Sequence, residues 1–141
     1  MKPQKNRMSK FVLDASAFLA VANREPGAEK VRPVLRESII SAVNFSEVLQ
    51  KLVRRGMSLA NSEGEVQRFI GGIVPFDREL AALAAGLDGA TSPFGLSLGD
   101  RACLALGKQL NLPVMTADRD WAKFDVGVKI EIIRGTSTSL T

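Results

Sequence analysis

Histidine and tyrosine are absent from this chain, and there is one cysteine, Cys103. Without imidazole, Ser-His-Asp triads and Cys-His nucleophile pairs are excluded, so any hydrolytic chemistry must rest on carboxylates, on a metal ion, or on both. A single thiol cannot form an internal disulfide or a cysteine zinc cluster. Its place in the apolar run Ala102 to Leu106 marks it as packing, which fits a reducing cytoplasm. Long hydrophobic runs are also missing: the longest, Phe11 to Ala22, is interrupted by Asp14 and Ser16, well short of the roughly 20 apolar residues of a membrane span. The same interruption argues against a signal peptide. Neither GxGxxG nor GxxxxGK[ST] occurs, so dinucleotide and P-loop sites have no motif to stand on.

At 141 residues, 45% of them hydrophobic, the chain suits one domain that buries roughly 68 to 70% of its unfolded surface. Lys2, Lys5, Arg7 and Lys10 account for the whole net charge of +4, since fifteen basic and fifteen acidic residues follow residue 10. The charge therefore lies in a basic tail over residues 1–9 and in Lys10 next to it, rather than in the folded surface beyond. Met8 is an alternative start, because nothing before Lys10 has periodicity.

Short apolar segments alternate with helical ones. Residues 11–13, 39–40, 73–76, 113–116 and 129–133 read as strands, the third as an edge strand or connector. Helices are expected over 15–22, 26–37, 43–55, 58–70, 78–87 and from about residue 100 to 110, where Asn111 and Pro113 stop the last one. Residues 86–95 are the least structured interior stretch and a candidate flap, and 135–141 form a polar tail. This alternation implies an α/β fold with a parallel sheet and right-handed crossovers, helices covering both faces.

Such sheets carry ligands at the carboxyl ends of their strands. Asp14 follows the first strand, Asp118 follows the fourth, and Asp100 lies on the first turn of the helix between them, so three carboxylates face one edge. Each also has a structural reading as a helix cap. Glu47 projects opposite the apolar arc of its helix, beside Asn44, Lys51 and Arg54, where it reads as a solvated residue with an i,i+4 partner in Lys51.

The segments VLDASAFLA, SAVNFSEVLQKL, LSLGDRACLALG and VMTADRDWAKF, in that order, resemble the PIN-domain family, and within it the VapC ribonuclease toxins of type II toxin–antitoxin modules. The resemblance covers residues 10–134. It implies a five-stranded parallel sheet in the order 3-2-1-4-5 with an acidic site at its carboxyl edge. Asp14, Glu47, Asp100 and Asp118 match the four family acids, and Ser16, Asn44 and Thr116 match the polar positions that support them. Asp120 is a possible fifth carboxylate or a surface partner of Lys123. The helix projection and the family pattern disagree on Glu47, and the family pattern is given precedence.

What the resemblance implies is an endoribonuclease that uses Mg²⁺ or Mn²⁺, the hard ions that carboxylates prefer. Asp14, Asp100 and Asp118 would hold the ion, and Glu47 would orient or deprotonate the attacking water. Arg54, Arg55, Arg101 and Arg119 are candidates for RNA phosphate contacts. A cognate VapB-like antitoxin is implied, with a segment packed on the first helices and a basic side chain in the acid cluster, and homodimerisation is expected. Two other classes compete. A phosphoacceptor receiver domain shares the parallel α/β pattern but needs an acid pair after the first strand and a lysine after the last, whereas Leu13-Asp14-Ala15 and Ile132-Ile133-Arg134 supply neither. A catalytically silent binding module is the other.

Overall fold

The computed structural model describes residues 9–135. The basic tail and the Met8 start lie outside the described residues except at Ser9, and the C-terminal tail does so except at Gly135. In chain order the elements are β1 (Phe11–Leu13), α1 (Ala15–Ala22), α2 (Ala28–Val31), a 3-10 helix (Arg32–Glu37), β2 (Ser38–Ser41), α3 (Ala42–Arg54), α4 (Leu59–Phe69) and β3 (Gly72–Val74). There follow α5 (Arg78–Gly86), α6 (Asp88–Thr91), a 3-10 turn (Ser92–Phe94), α7 (Leu98–Leu110), β4 (Val114–Thr116), a 3-10 helix (Arg119–Lys123) and β5 (Ile130–Ile132).

All strand pairs are parallel, in the order β3-β2-β1-β4-β5. Neighbouring residues on a strand point to opposite faces, and the core divides accordingly. Leu13, Ile40 and Met115 pack with Phe18, Val31, Leu35, Val48, Leu52 and Val66 on one face. Val12, Ile39 and Val114 pack with Leu80, Cys103, Leu104, Leu106 and Trp121 on the other. Coverage of both faces explains why these strands read as unbroken apolar runs instead of alternating ones.

Two expectations need correction. The helix expected over 26–37 is broken in two. Pro33 lacks the N–H an α-helix would need and its ring crowds the preceding turn, so α2 stops at Val31 and the chain tightens into a 3-10 helix. Pro26 falls in the turn before α2, and Gly27, at φ 98°, lies where an added Cβ would stand 2.7 Å from the Ile133 carbonyl oxygen. The stretch 86–95 is structured as well. Thr91 is fully buried and donates to the Leu87 carbonyl at 2.8 Å, and Phe94 packs on Phe124 with ring centroids 5.7 Å apart. Arg101 holds this stretch from α7, donating to the Ala84 carbonyl at 3.3 Å and standing 3.9 Å from Asp88.

Two glycines should respond in opposite directions. Gly64 is exposed on α4 with open space where a Cβ would go, so Gly64→Ala should stabilise by about 0.5 to 1 kcal/mol. At Gly71 a Cβ would meet the carbonyl oxygens of Arg36 and Ser38 at 2.5 and 2.7 Å, backbone that cannot yield, so Gly71→Ala should cost about 1 to 3 kcal/mol. Urea unfolding of both variants checks the pair.

Candidate active site

Asp14 leaves the end of β1 and caps α1. Its Oδ1 accepts from the Ala17 N–H at 2.9 Å and from the Ser16 hydroxyl at 2.7 Å, and its Oδ2 accepts from the Thr116 hydroxyl at 2.5 Å. Those hydroxyls are themselves held from β4's exit: Ala117 N–H donates to Ser16 Oγ at 2.9 Å, and Asp118 N–H to Thr116 Oγ1 at 3.1 Å. Asp14 is only 6% exposed. Burial pushes its pKa up to about 6, and the charge of Asp100 adds to this, while the hydrogen bonds from Thr116, Ser16 and Ala17 act in the opposite direction.

Asp100 and Asp118 both serve as helix-start groups, yet each keeps an oxygen free. Ser97 caps α7, and Asp100 closes a capping box by accepting the Ser97 N–H on Oδ2 at 3.0 Å. Asp118 caps the short 3-10 helix by accepting the Asp120 N–H on Oδ1 at 2.9 Å. Asp100 Oδ1 and Asp118 Oδ2 have no hydrogen-bond partner among the described residues.

Glu47 is held from α3 and faces α7. Asn44 Nδ2 donates to Glu47 Oε1 at 2.9 Å and to the Gly99 carbonyl at 3.0 Å. A Cβ on Gly99 would lie within 2.8 Å of all three carboxylate atoms of Glu47, so α7 approaches this side chain closely only because residue 99 has none. The expected Glu47–Lys51 pair is not formed among the described residues.

These acids share one open cleft of about 400 Å³, lined by Asp14, Glu47, Asp100 and Asp118 together with Ser16, Asn23, Glu25, Gln50, Lys51 and Arg55. Their fields also meet at a buried point beneath it. Burial holds the Cys103 thiol well above its usual range, and the charges of Asp14, Asp100 and Glu47 raise it further. No three carboxylates among the described residues stand close enough together to hold an ion by themselves. The donors nevertheless fit a hard cation, because Mg²⁺ retains several waters and commonly takes only one or two carboxylates. A carboxylate whose charge burial makes costly, in one cleft with two acids that keep free oxygens, is what such a cation would stabilise.

A profile of the PIN domain matches residues 11–127. The chain belongs to the PIN domain family. Among solved structures, its fold is similar to the DNA-bound VapBC of Salmonella typhimurium, with a TM-score of 0.68 and 18% identity over 90% of this chain and 100% of that one. FitAcB of Neisseria gonorrhoeae gives a TM-score of 0.63 and 21% identity, covering 85% of this chain and 95% of that one. VapC20 of Mycobacterium tuberculosis, a sarcin-ricin loop cleaving toxin, gives 0.65 and 17% identity, covering 85% and 99%. Comparison with curated protein sequences returns no match.

Around the PIN cleft the remaining candidates separate. Arg55 lines it, whereas Arg54, Arg101 and Arg119 do not. Arg101 is occupied in joining α7 to α5 and α6, and Arg119 donates to the Gly135 carbonyl. Asp120 is exposed and pairs with Lys123 at 3.0 Å outside the cleft. Sequence reasoning missed the contact role of Gly99 and the cleft position of Lys51. The second could have been read from its spacing four residues after Glu47; the first depends on how two helices meet and leaves no mark in sequence.

The raised Asp14 pKa sets a pH dependence for the metal-free PIN domain. The carboxyl's folded value is about 6 against an ordinary 3.8, so between these pH values the folded chain binds the proton that the unfolded chain has released. Stability contributed by that proton is complete below the lower value and is lost as pH rises through the upper, by about 3 kcal/mol at most. Denaturant unfolding in chelator from pH 4 to 7 should show this decline, and Asp14→Asn should flatten it.

Proposed function

We propose that the protein is a metal-dependent endoribonuclease toxin of the VapC kind, cytoplasmic and inhibited by a cognate antitoxin. The observation that carries this reading is the set of four acids, drawn from four separate segments of a PIN fold, that line one open cleft at the carboxyl edge of the sheet. Asp14, Asp100 and Asp118 are the residues that would hold Mg²⁺ or Mn²⁺, one or two of them directly and the rest through the waters the ion retains. Bound there, the ion supplies Lewis acidity at a phosphodiester oxygen and neutralises charge that develops on it.

The chain's own residues supply position and proton transfer. Asn44 fixes Glu47 through Oε1, and Oε2, which has no hydrogen-bond partner among the described residues, accepts the proton of the attacking water. Ser16 and Thr116 orient Asp14 from both of its oxygens. No aromatic side chain lines the cleft, and Trp121 is 1% exposed, so base stacking of the kind used by single-strand readers has no platform. Selection by RNA shape, such as a structured loop, fits this lining. Mapping cleavage ends from expressing cells should then show cuts confined to structured loops.

The receiver-domain reading fails on topology, since receiver sheets run 2-1-3-4-5 and this sheet runs 3-2-1-4-5. The antitoxin reading is supported by a second groove of about 550 Å³ on the first helices, with Phe18, Val21, Leu35 and Phe69 among its lining. A segment lying there could extend an arginine into the acid cluster, whose planar fork matches carboxylates. Homodimerisation is carried over from the family resemblance.

Asp100→Asn tests the site. An Asn side-chain oxygen can still accept the Ser97 N–H, so the variant in chelator should melt at or above the parent while losing RNA cleavage. Mg²⁺ or Mn²⁺ should stabilise the parent by about 2.7 kcal/mol at a hundredfold excess over Kd, and the variant much less. A full metal increment in the variant would make Asp100 a cap only, and metal-independent loss of all cleavage in the parent would favour a silent binding module. Gly99→Ala should keep the fold, with a melting temperature close to the parent's. It should lower kcat by about a hundredfold or more, the scale of a displaced general base, in a single-turnover assay.

A further inference from the structure

Glu47, Lys51 and Arg55 are spaced four residues apart along α3 and its C-cap, and all three line the acidic cleft. That spacing stacks them on one helix face at steps of about 6 Å, comparable to the separation of successive phosphates along a single nucleic-acid strand. Lys51 and Arg55 are the two cations among the lining residues, both are exposed, and neither makes an ion pair or side-chain hydrogen bond among the described residues. The other lining residues beyond the four acids offer no cation. They include Asn23 and Glu25, with Glu25 standing 3.3 Å from Arg134, so a phosphate there would meet a carboxylate.

Cations at a helix C-terminus also complement its dipole, and Lys51 and Arg54 lie in the last turn of α3 with Arg55 as its C-cap. That role applies to all three alike. It does not account for two of them lining the acid cleft while Arg54 lies outside it.

We propose that Lys51 and Arg55 form a phosphate rail which holds two successive backbone phosphates on one side of the scissile bond, so that the RNA strand leaves the acids along α3 toward its C-terminal end. This rests on the ribonuclease reading above and gives it a direction. The contacts are to backbone charge, so they fix the strand's register without reading its bases.

The test uses the full chain carrying Glu47→Gln, which keeps the RNA intact, with Mg²⁺ present and a labelled RNA oligomer centred on the mapped cleavage site. Binding is measured over a range of salt concentrations. Lys51→Gln and Arg55→Gln should each reduce the slope of log K against log salt by about 0.7, the increment of one phosphate on a single strand, and Arg54→Gln should leave it unchanged. Trimming phosphates from one end of the oligomer should abolish the effect of Arg55→Gln first and of Lys51→Gln next, while trimming from the other end should abolish neither. Equal slopes for all three variants, or equal sensitivity to trimming at both ends, would overturn the rail and leave the ribonuclease reading standing. Failure of the parent to cleave or bind any RNA would remove both.

Discussion

Asp14 is buried at the junction of β1, α1 and β4, and each of its oxygens is engaged by groups that are themselves anchored in backbone. The Ser16 and Thr116 hydroxyls relay two N–H groups from the exit of β4 onto one carboxylate. A single charged group thereby sets the start of the first helix against the end of a strand a hundred residues later. Burying it is costly, as its raised pKa shows, and the hydrogen bonds offset only part of that cost. The remaining cost falls at the cleft that Asp14 lines.

Capping and chemistry do not compete at this edge. In a parallel α/β sheet the strand ends and helix starts lie together, so carboxylates that satisfy helix N–H groups are also the ones nearest the crevice. Asp14, Asp100 and Asp118 all use an oxygen in this way. The helix termini hold the acids in place, and for Asp100 and Asp118 one oxygen is left over. Glu47 differs because it lies inside α3, and its position comes from Asn44 and from the bare backbone of Gly99.

The sheet and its strand positions were legible because short apolar runs separated by helical spacing leave few other arrangements, and the carboxyl-edge placement of Asp14, Asp100 and Asp118 follows from that topology. Strand order came from the family resemblance, since period and composition do not rank neighbouring strands. Helix projection places Glu47 opposite the core-facing arc, as found, but it does not show the second helix docked there, and the Lys51 pair it suggests is not formed among the described residues. Pro33 marks the break between α2 and the 3-10 helix in the sequence itself, whereas apolar spacing alone runs straight through it. Residues 86–95 looked loose because glycine and proline suggest turns, whereas Thr91, Phe94 and the reach of Arg101 tie them down through contacts distant in sequence.

Trp121 is the chain's one tryptophan, with no tyrosine beside it. It is buried in the 3-10 helix that Asp118 caps, its backbone N–H donates to the Asp118 carbonyl at 3.2 Å, and its ring lies 6.2 Å from that of Phe124. Its indole N–H has no partner among the described residues. The protein therefore carries a native fluorophore in an apolar setting three residues from a cleft acid. Changes in the loop that presents Asp118 can be followed by emission wavelength and quenching, without a label and without disturbing the carboxylates.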